Sequence, residues 1–189
     1  DNHPTSGDRT SDIIQKFSFA SDQNDTYVDD LATAVARNSG QSSSTSGYSS
    51  GGGVVNSGSG FNVIQKFAFS TDGNASDVGD LLAVNFASTG QSSSVSGYNS
   101  GGKNNPSGDV TNQIQKFPFA SDGNSTDVGD LIGEGEGGTG QSSSESGYVT
   151  SIFPGGPSFS DRIEKFPFAS DGNSTDVGDL TQLGYSMGS

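Results

Sequence analysis

The chain has 189 residues, a formal net charge of −14 and a sequence pI near 4.1, and only 28% of its residues are hydrophobic. This composition allows one domain with a thin apolar core. The negative charge argues against binding to nucleic-acid phosphates or to an anionic membrane surface. Because the chain has no cysteine, disulfides and thiolate metal sites are excluded, and no apolar stretch approaches the ~20 residues of a membrane span.

One sequence phrase occurs four times. It consists of Ile-Gln-Lys-Phe-x-Phe, an acidic turn and Asp-Val-Gly-Asp-Leu, with small variations between copies. Its first phenylalanine recurs at spacings of 50, 50 and 49 residues, at Phe17, Phe67, Phe117 and Phe166. A second phrase, Gly-Gln-Ser-Ser-Ser-x-Ser-Gly-Tyr, occurs three times and begins at Gly40, Gly90 and Gly140. Copied units of this length must stack on or close against each other.

The repeats predict a single domain over residues 1–189. Its copies span approximately residues 11–60, 61–110, 111–158 and 159–189, and the last copy is incomplete.

The second copy shows the local pattern. Residues 62–70 alternate between two faces and are rich in β-branched and aromatic side chains, which is typical of a strand. Residues 71–74 contain Asp-Gly, a strong signal for a short hairpin turn. Residues 76–81 then return as the partner strand. Each copy is therefore predicted to contain a β-hairpin.

The serine- and glycine-rich phrase that follows lacks a helical apolar stripe. Because it is repeated almost letter for letter, we predict a strand with small side chains, placed where neighbouring strands crowd it. The stretches after it differ in length and content and are predicted to be surface loops, at residues 53–61, 103–112 and 152–160.

Three or four strands in about 50 residues match one blade of a β-propeller. The copy resembles the kelch family in outline, because a Gly-Gly pair, an Ile-x-x-Phe strand and a turn fall in that family's order. The matching residues are Gly51-Gly52, Gly101-Gly102, Ile64, Phe67 and the turn at residues 72–74. The tryptophan of that family's outer strand is missing, since the chain has no Trp. The resemblance implies an all-β, kelch-like β-propeller of about four repeats. The alternative is an open β-repeat assembly completed by neighbouring chains.

A second resemblance concerns function. The phrase at residues 116–131, together with Gly-Gln-Ser-Ser-Ser and Gly-Tyr-x-Ser-Gly-Gly, is similar to repeat proteins of marine bacteriophages. That resemblance implies a kelch-like component of a virion or a fibre.

The two ends of the chain read as parts of one split repeat. Residues 184–189 followed by residues 1–8 are similar to residues 97–109, and the fourth copy lacks Gly-Gln-Ser-Ser-Ser. Within one chain this pattern predicts a ring closure, and between chains it predicts head-to-tail donation and an open filament. A third possibility is that the chain is part of a longer array.

The acidic turn supplies candidate calcium ligands, because calcium prefers six to eight carboxylate and carbonyl oxygens. The candidates are Asp72, Asn74, Asp77, Asp122, Asn124, Asp127, Asp171, Asn173 and Asp176. The alternative is a turn capped by Asp and Asn side chains, with solubilising carboxylates at a sheet edge. The bidentate Glu of an EF-hand is missing. We expect no other cofactor.

The tyrosines of the second phrase are candidates for stacking on a glycan, where repeated sites would add avidity. They are Tyr48, Tyr98 and Tyr148, and packing between blades is the alternative role. The serine clusters do not indicate a hydrolase, because a nucleophilic serine needs a positioned base and the only histidine is His3. We therefore predict that the chain is not an enzyme.

Together these patterns predict a structural or adhesive repeat protein of a virion or extracellular appendage. Its expected partners are other copies or neighbouring structural subunits, with a cell-surface glycan as a further candidate. We expect neither nucleic-acid binding nor membrane insertion. A calcium- or glycan-binding, lectin-like propeller is the alternative.

Overall fold

The structure, a computed structural model, describes residues 10–54, 59–104, 107–150, 152–154 and 160–182. All regular secondary structure in these ranges is β, as predicted. The strands are β1 Ser11–Lys16, β2 Thr26–Val35, β3 Ser39–Ser42, β4 Ser46–Ser50, β5 Val63–Ala68, β6 Ser76–Asp80, β7 Asn85–Phe86, β8 Thr89–Ser92, β9 Ser96–Ser100, β10 Lys103–Asn104, β11 Gln113–Pro118, β12 Thr126–Asp130, β13 Thr139–Ser142, β14 Ser146–Thr150, β15 Arg162–Pro167 and β16 Thr175–Asp179.

Twelve strands form three antiparallel, four-stranded sheets with the same strand order. We call them the first blade (β3-β4-β5-β6), the second blade (β8-β9-β11-β12) and the third blade (β13-β14-β15-β16). Strands β1 and β2 form a half-blade, which corresponds in sequence to the two outer strands of a complete blade. Strands β7 and β10 pair in a small separate ribbon.

The serine-rich phrase forms two strands, not the single strand that we predicted. In the first blade, β3 and β4 pair across a turn at residues 43–45. The Ser43 hydroxyl oxygen accepts the Ser46 N–H at 3.0 Å, and the Ser43 N–H donates to the Ser46 carbonyl at 2.9 Å. A serine can close such a turn with its own side chain. The turn was missed because uniformly small residues show no alternation that would mark where a strand ends.

The outer hairpin is confirmed, but its loop is longer than the predicted Asp-Gly turn. Strands β5 and β6 pair in antiparallel register, and residues 69–75 connect them. The loop is long because it extends to the preceding sheet, where the Ala75 N–H donates to the Asp30 carbonyl at 2.8 Å. The predicted surface loops are also paired in part, by the bridges Gly53–Gly60 and Lys103–Val110.

The apolar core lies between blades. One cluster joins residues of the first and second blades: Tyr48, Ile64, Leu81 and Phe117, with Val78 and Phe119 against it. The equivalent cluster joins the second and third blades: Tyr98, Ile114, Leu131, Val149, Ile152, Phe166 and Phe168, with Val128 against it. Each blade therefore needs its neighbour to bury its apolar residues, as expected for a repeat protein.

The first strand of each blade packs its backbone against the backbone of the first strand of the next blade, as β3 does against β8. The Gln41 amide donates to the Tyr98 carbonyl at 2.9 Å, and the Ser92 hydroxyl oxygen accepts the Ser42 N–H at 3.0 Å. A Cβ atom on Gly90 would clash with the carbonyl oxygen of Gly40. The repeated Gly-Gln-Ser phrase is thus a close-packing motif, because only glycine permits this approach.

We expect Gly90→Ala to lower the free energy of unfolding by about 1–3 kcal/mol, since the added methyl group would overpack the contact between two backbones. The matched control is Gly40→Ala, because nothing lies within 4 Å of a Cβ atom at Gly40. Urea denaturation of both variants measures the difference. Equal stabilities of the two variants would contradict this account of the motif.

Candidate functional site

Two of the three candidate glycan-binding tyrosines are buried between blades. Tyr48 stacks on Phe119 of the following blade, with ring centroids 4.7 Å apart, and Tyr98 stacks on Phe168 at 4.8 Å. Their exposed fractions are 4% and 1%, and burial raises the pKa of Tyr98. The prediction of a glycan-binding role is therefore wrong for Tyr48 and Tyr98, because their ring faces already cover phenylalanines.

The glycine before each tyrosine makes this arrangement possible. A Cβ atom on Gly47 would clash with the ring of Phe67, which lies across the glycine from the adjacent strand. The next residue, Tyr48, pairs with Lys66, whose ammonium lies 5.9 Å from the tyrosine centroid. The same two contacts recur in the second and third blades. The Gly-Tyr pair is thus fitted to a Lys-Phe pair on the neighbouring strand.

Tyr148 differs from the other two tyrosines. It is half-buried, its ring lies 5.8 Å from the Lys165 ammonium, and it belongs to the third blade, after which no further blade is described. Its glycan-binding role stays a prediction.

The acidic turns also contact the preceding blade. The turn aspartates accept hydrogen bonds from lysine ammonium groups at 2.8–2.9 Å, in the pairs Lys16–Asp72, Lys66–Asp122 and Lys116–Asp171. The hydrogen bond to Asp122 raises the pKa of Lys66. The pair therefore stabilises the folded chain at pH values below the ordinary lysine pKa, and this contribution is lost as the pH rises through the higher folded-state value. Solvent exposure limits each pair to about 0.2–1 kcal/mol.

The turn asparagines bind backbone in the same direction. The Asn124 side-chain oxygen accepts the Asp80 N–H at 3.0 Å, and the Ser125 N–H donates to the Asp80 carbonyl at 2.8 Å. Asn74 and Asn173 repeat this contact with the N–H groups of Asp30 and Asp130, respectively. Each turn therefore adds a short, strand-like contact to the outer strand of the blade before it.

The remaining candidate calcium ligands, one aspartate in each outer strand, have a different role. The first aspartate of each outer strand accepts the N–H two residues later at 3.1–3.2 Å, in the pairs Asp77–Gly79, Asp127–Gly129 and Asp176–Gly178. The three oxygen-bearing positions of one turn thus bind three different partners. Among the residues described here, no three His, Cys, Asp or Glu side chains gather where they could hold a metal ion. The predicted calcium cage is therefore not formed in these ranges.

Sequence reasoning missed the lysine and the glutamine of the Ile-Gln-Lys-Phe phrase as contact residues. The Gln115 side-chain oxygen accepts the Leu82 N–H of the preceding blade at 2.8 Å and the Ser125 hydroxyl at 2.9 Å. Gln65 accepts the Thr33 N–H at 2.7 Å and donates its amide to the Thr33 carbonyl at 3.2 Å. The available signal was that Lys and Gln recur in step with the turn aspartates.

The third blade carries Glu164 where the other blades carry this glutamine. Glu164 is 1% exposed, and its Oε2 accepts the Ile132 N–H at 2.8 Å and the Ser174 hydroxyl at 2.7 Å. Its Oε1 has no hydrogen-bond partner among the described residues, and Arg162 Nη2 lies 3.5 Å away. A buried carboxylate with one unsatisfied oxygen is costly.

We expect Glu164→Gln to raise the free energy of unfolding by about 1 kcal/mol at pH 7, because the amide keeps the accepting oxygen and removes a buried charge. Glu145→Gln, at an exposed position, is the control with the same change in net charge. Thermal unfolding compares the two variants. A less stable Glu164→Gln variant would show that the pair with Arg162 outweighs the buried charge.

We expect Asn124→Ala to lower the free energy of unfolding by about 0.5–1.5 kcal/mol, because the Asp80 N–H loses its partner. Asn24→Ala is the matched control, since Asn24 occupies the same place in the half-blade, is exposed, and has no described blade before it. We expect that control to change the stability by less than about 0.5 kcal/mol. Equal losses from both substitutions, measured by urea denaturation, would contradict a contact between blades.

An open groove of about 570 Å³ is lined by residues outside the three four-stranded sheets. Its lining includes Lys103, Asp109, Glu134, Glu136 and Phe153. The ammonium of Lys103 lies 3.5 Å from the Glu136 carboxylate. The groove combines an aromatic side chain with several polar ones, a combination that suits a sugar better than an apolar ligand.

Comparisons with known proteins identify the fold. No protein-family model matches the chain, and no curated protein matches it. The chain is similar to the solved structure of YjhT, a kelch-repeat β-propeller protein, with a TM-score of 0.71 and 10% sequence identity. The similarity covers 86% of this chain and 58% of the YjhT chain. The predicted architecture is therefore confirmed: the chain has an all-β, kelch-like β-propeller fold.

Proposed function

We propose that the chain is a non-enzymatic structural or adhesive component of a virion or an extracellular appendage. The observation that carries this proposal is the use of the repeated residues. The tyrosines, lysines, glutamines and acidic turns that recur from copy to copy bind the adjacent blade. Residues that recur between copies thus serve the cohesion of the array, as expected for a protein whose role is to form an extended, rigid surface.

The same observation weighs against an enzyme. Catalysis needs a positioned base beside a nucleophile. The serines of the repeated phrase instead bind neighbouring backbone, as the Ser92 hydroxyl oxygen does when it accepts the Ser42 N–H at 3.0 Å. The only histidine, His3, lies outside the described residues. No helix in the described part of the chain is long and apolar enough to cross a membrane.

The similarity of residues 116–131 to marine bacteriophage repeat proteins supports a place on a virion. Immunogold electron microscopy with an antibody raised against this chain tests the proposal on particles and cells of its source. We expect gold particles on a virion or on a surface appendage. Labelling confined to the cell interior would contradict it.

A lectin-like propeller is the second candidate, favoured by the groove that includes Phe153 and several carboxylates. Carbohydrate hydroxyls pair well with carboxylates. Retention of the chain on a glycan array, lost on Glu134→Ala, would favour adhesion over a purely structural role.

A further inference from the structure

We propose that strand β1 of the half-blade receives a Gly-Tyr strand from a second copy of this chain, supplied by its Gly184-Tyr185 segment. This inference rests on the proposed structural role and names its partner. The segment lies outside the described residues, whereas the surface that would receive it is described.

Complete blades show what the missing strand must contain. In the first blade, Gly47 lies opposite Phe67, and Tyr48 lies opposite Lys66. Tyr48 then reaches the following blade and stacks on Phe119. A strand that pairs with β1 in the same way needs a glycine opposite Phe17 and a tyrosine opposite Lys16. The second and third blades show the same register with Gly97-Tyr98 and Gly147-Tyr148.

The half-blade has the receiving strand but not the Gly-Tyr strand. In the described part of the chain, β1 pairs only with β2. It ends at Lys16, although the equivalent strand β5 continues through Phe67 to Ala68. Those two further residues pair with β4, the Gly-Tyr strand of the first blade. The early end of β1 thus follows because this edge of the strand has no partner among the described residues.

A Gly-Tyr strand on this edge of β1 would account for two exposed phenylalanines. Phe17 is 60% exposed, whereas its counterpart Phe67 is half-buried and its counterparts Phe117 and Phe166 are each 1% exposed. Phe69 is 50% exposed, whereas its counterpart Phe168 is 8% exposed and lies under Tyr98. A Gly-Tyr strand on β1 would cover Phe17 with its glycine side and bring its tyrosine onto Phe69.

The chain contains a matching donor. Its sequence has four Lys-Phe strands and four Gly-Tyr pairs, and three of each are paired in the complete blades. The Lys-Phe strand left over is β1, and the Gly-Tyr pair left over is Gly184-Tyr185.

The donor is a second copy because the third blade and the half-blade of one copy do not cover each other. Gln141 of the third blade is exposed, whereas its counterparts Gln41 and Gln91 are buried. Phe19 of the half-blade is 96% exposed, although its counterpart Phe119 lies under Tyr48. Bringing these ends together within one copy would require movement at three close-packed interfaces, whereas a second copy requires none.

A head-to-tail contact would repeat the interface already present twice between complete blades of the chain. The third blade offers Tyr148 and Lys165, and the half-blade offers Phe19 and Asp22, at the places where Tyr98, Lys116, Phe168 and Asp171 meet. Gly178 has open space beside it, whereas its counterpart Gly129 is packed against the turn of the next blade. The third blade of one copy and the half-blade of the next therefore match in charge, in ring contacts and in free space. Because such a contact joins two different surfaces, it can add further copies in the same way.

Sedimentation velocity of the full chain at several concentrations tests this contact. We expect the wild-type mass to exceed 19.2 kDa and to rise with concentration. A donor variant, Tyr185→Ser, and an acceptor variant, Phe17→Ser with Phe69→Ser, should each sediment at the monomer mass. Their mixture should regain a dimer, because each variant keeps the surface that the other lacks. Val95→Ser, at a 64% exposed residue of the β8–β9 turn, is the control and should associate like the wild type.

Two results would overturn the proposal. The first is a wild-type chain that stays at 19.2 kDa at every concentration. That result would also follow if the Gly184-Tyr185 segment paired with β1 of its own copy. The second is association that survives the donor or the acceptor substitutions, or a mixture that does not regain a dimer. Melting temperatures establish that each variant is folded, and Gly184→Val replaces Tyr185→Ser if the latter is not. Immunogold labelling tests the proposed function separately, so the two can fail independently.

Discussion

The close approach of one blade's backbone to the next is the constraint on which the rest of the structure depends. Where inner strands meet, Gly90 lies against the backbone of Gly40, and the acidic turn of each following blade lies against Gly79 or Gly129. A side chain at Gly90, Gly79 or Gly129 would separate the blades. Separation would also break the hydrogen bond that Gln41 donates and the one that Asn124 accepts, which depend on the same short distance.

This constraint explains how a chain with few hydrophobic residues can order. The buried residues include many serines, glutamines and asparagines, and these bind across blade boundaries or along the inner hairpins. Most of their polar groups are hydrogen-bonded on burial, and these hydrogen bonds are directional. The apolar contribution is concentrated in the tyrosine–phenylalanine stacks. The interface is therefore specific for another blade of the same kind.

An interface built in this way is inherently directional. One side of each blade offers tyrosine and lysine, and the other side offers phenylalanine and the acidic turn. The two ends of the described array consequently differ in chemistry and are complementary to each other. The residues that recur between copies are thus the ones that hold adjacent blades together, which is the observation behind the proposed role in assembly.

The sequence by itself determined the repeat and the outer hairpins, because alternation and period depend on residues close in the chain. The kelch-like propeller was implied by the resemblance of each copy to that family. Only the tertiary structure decided that Tyr48 and Tyr98 are buried and that Asp122 binds Lys66. Their partners lie 56 to 71 residues away along the chain, on another blade, where no local pattern identifies them. The same holds for the Gly-Gln-Ser phrase. Its small residues predict a crowded strand, but only the packing of adjacent blades shows that the neighbour of Gly90 is the backbone of Gly40.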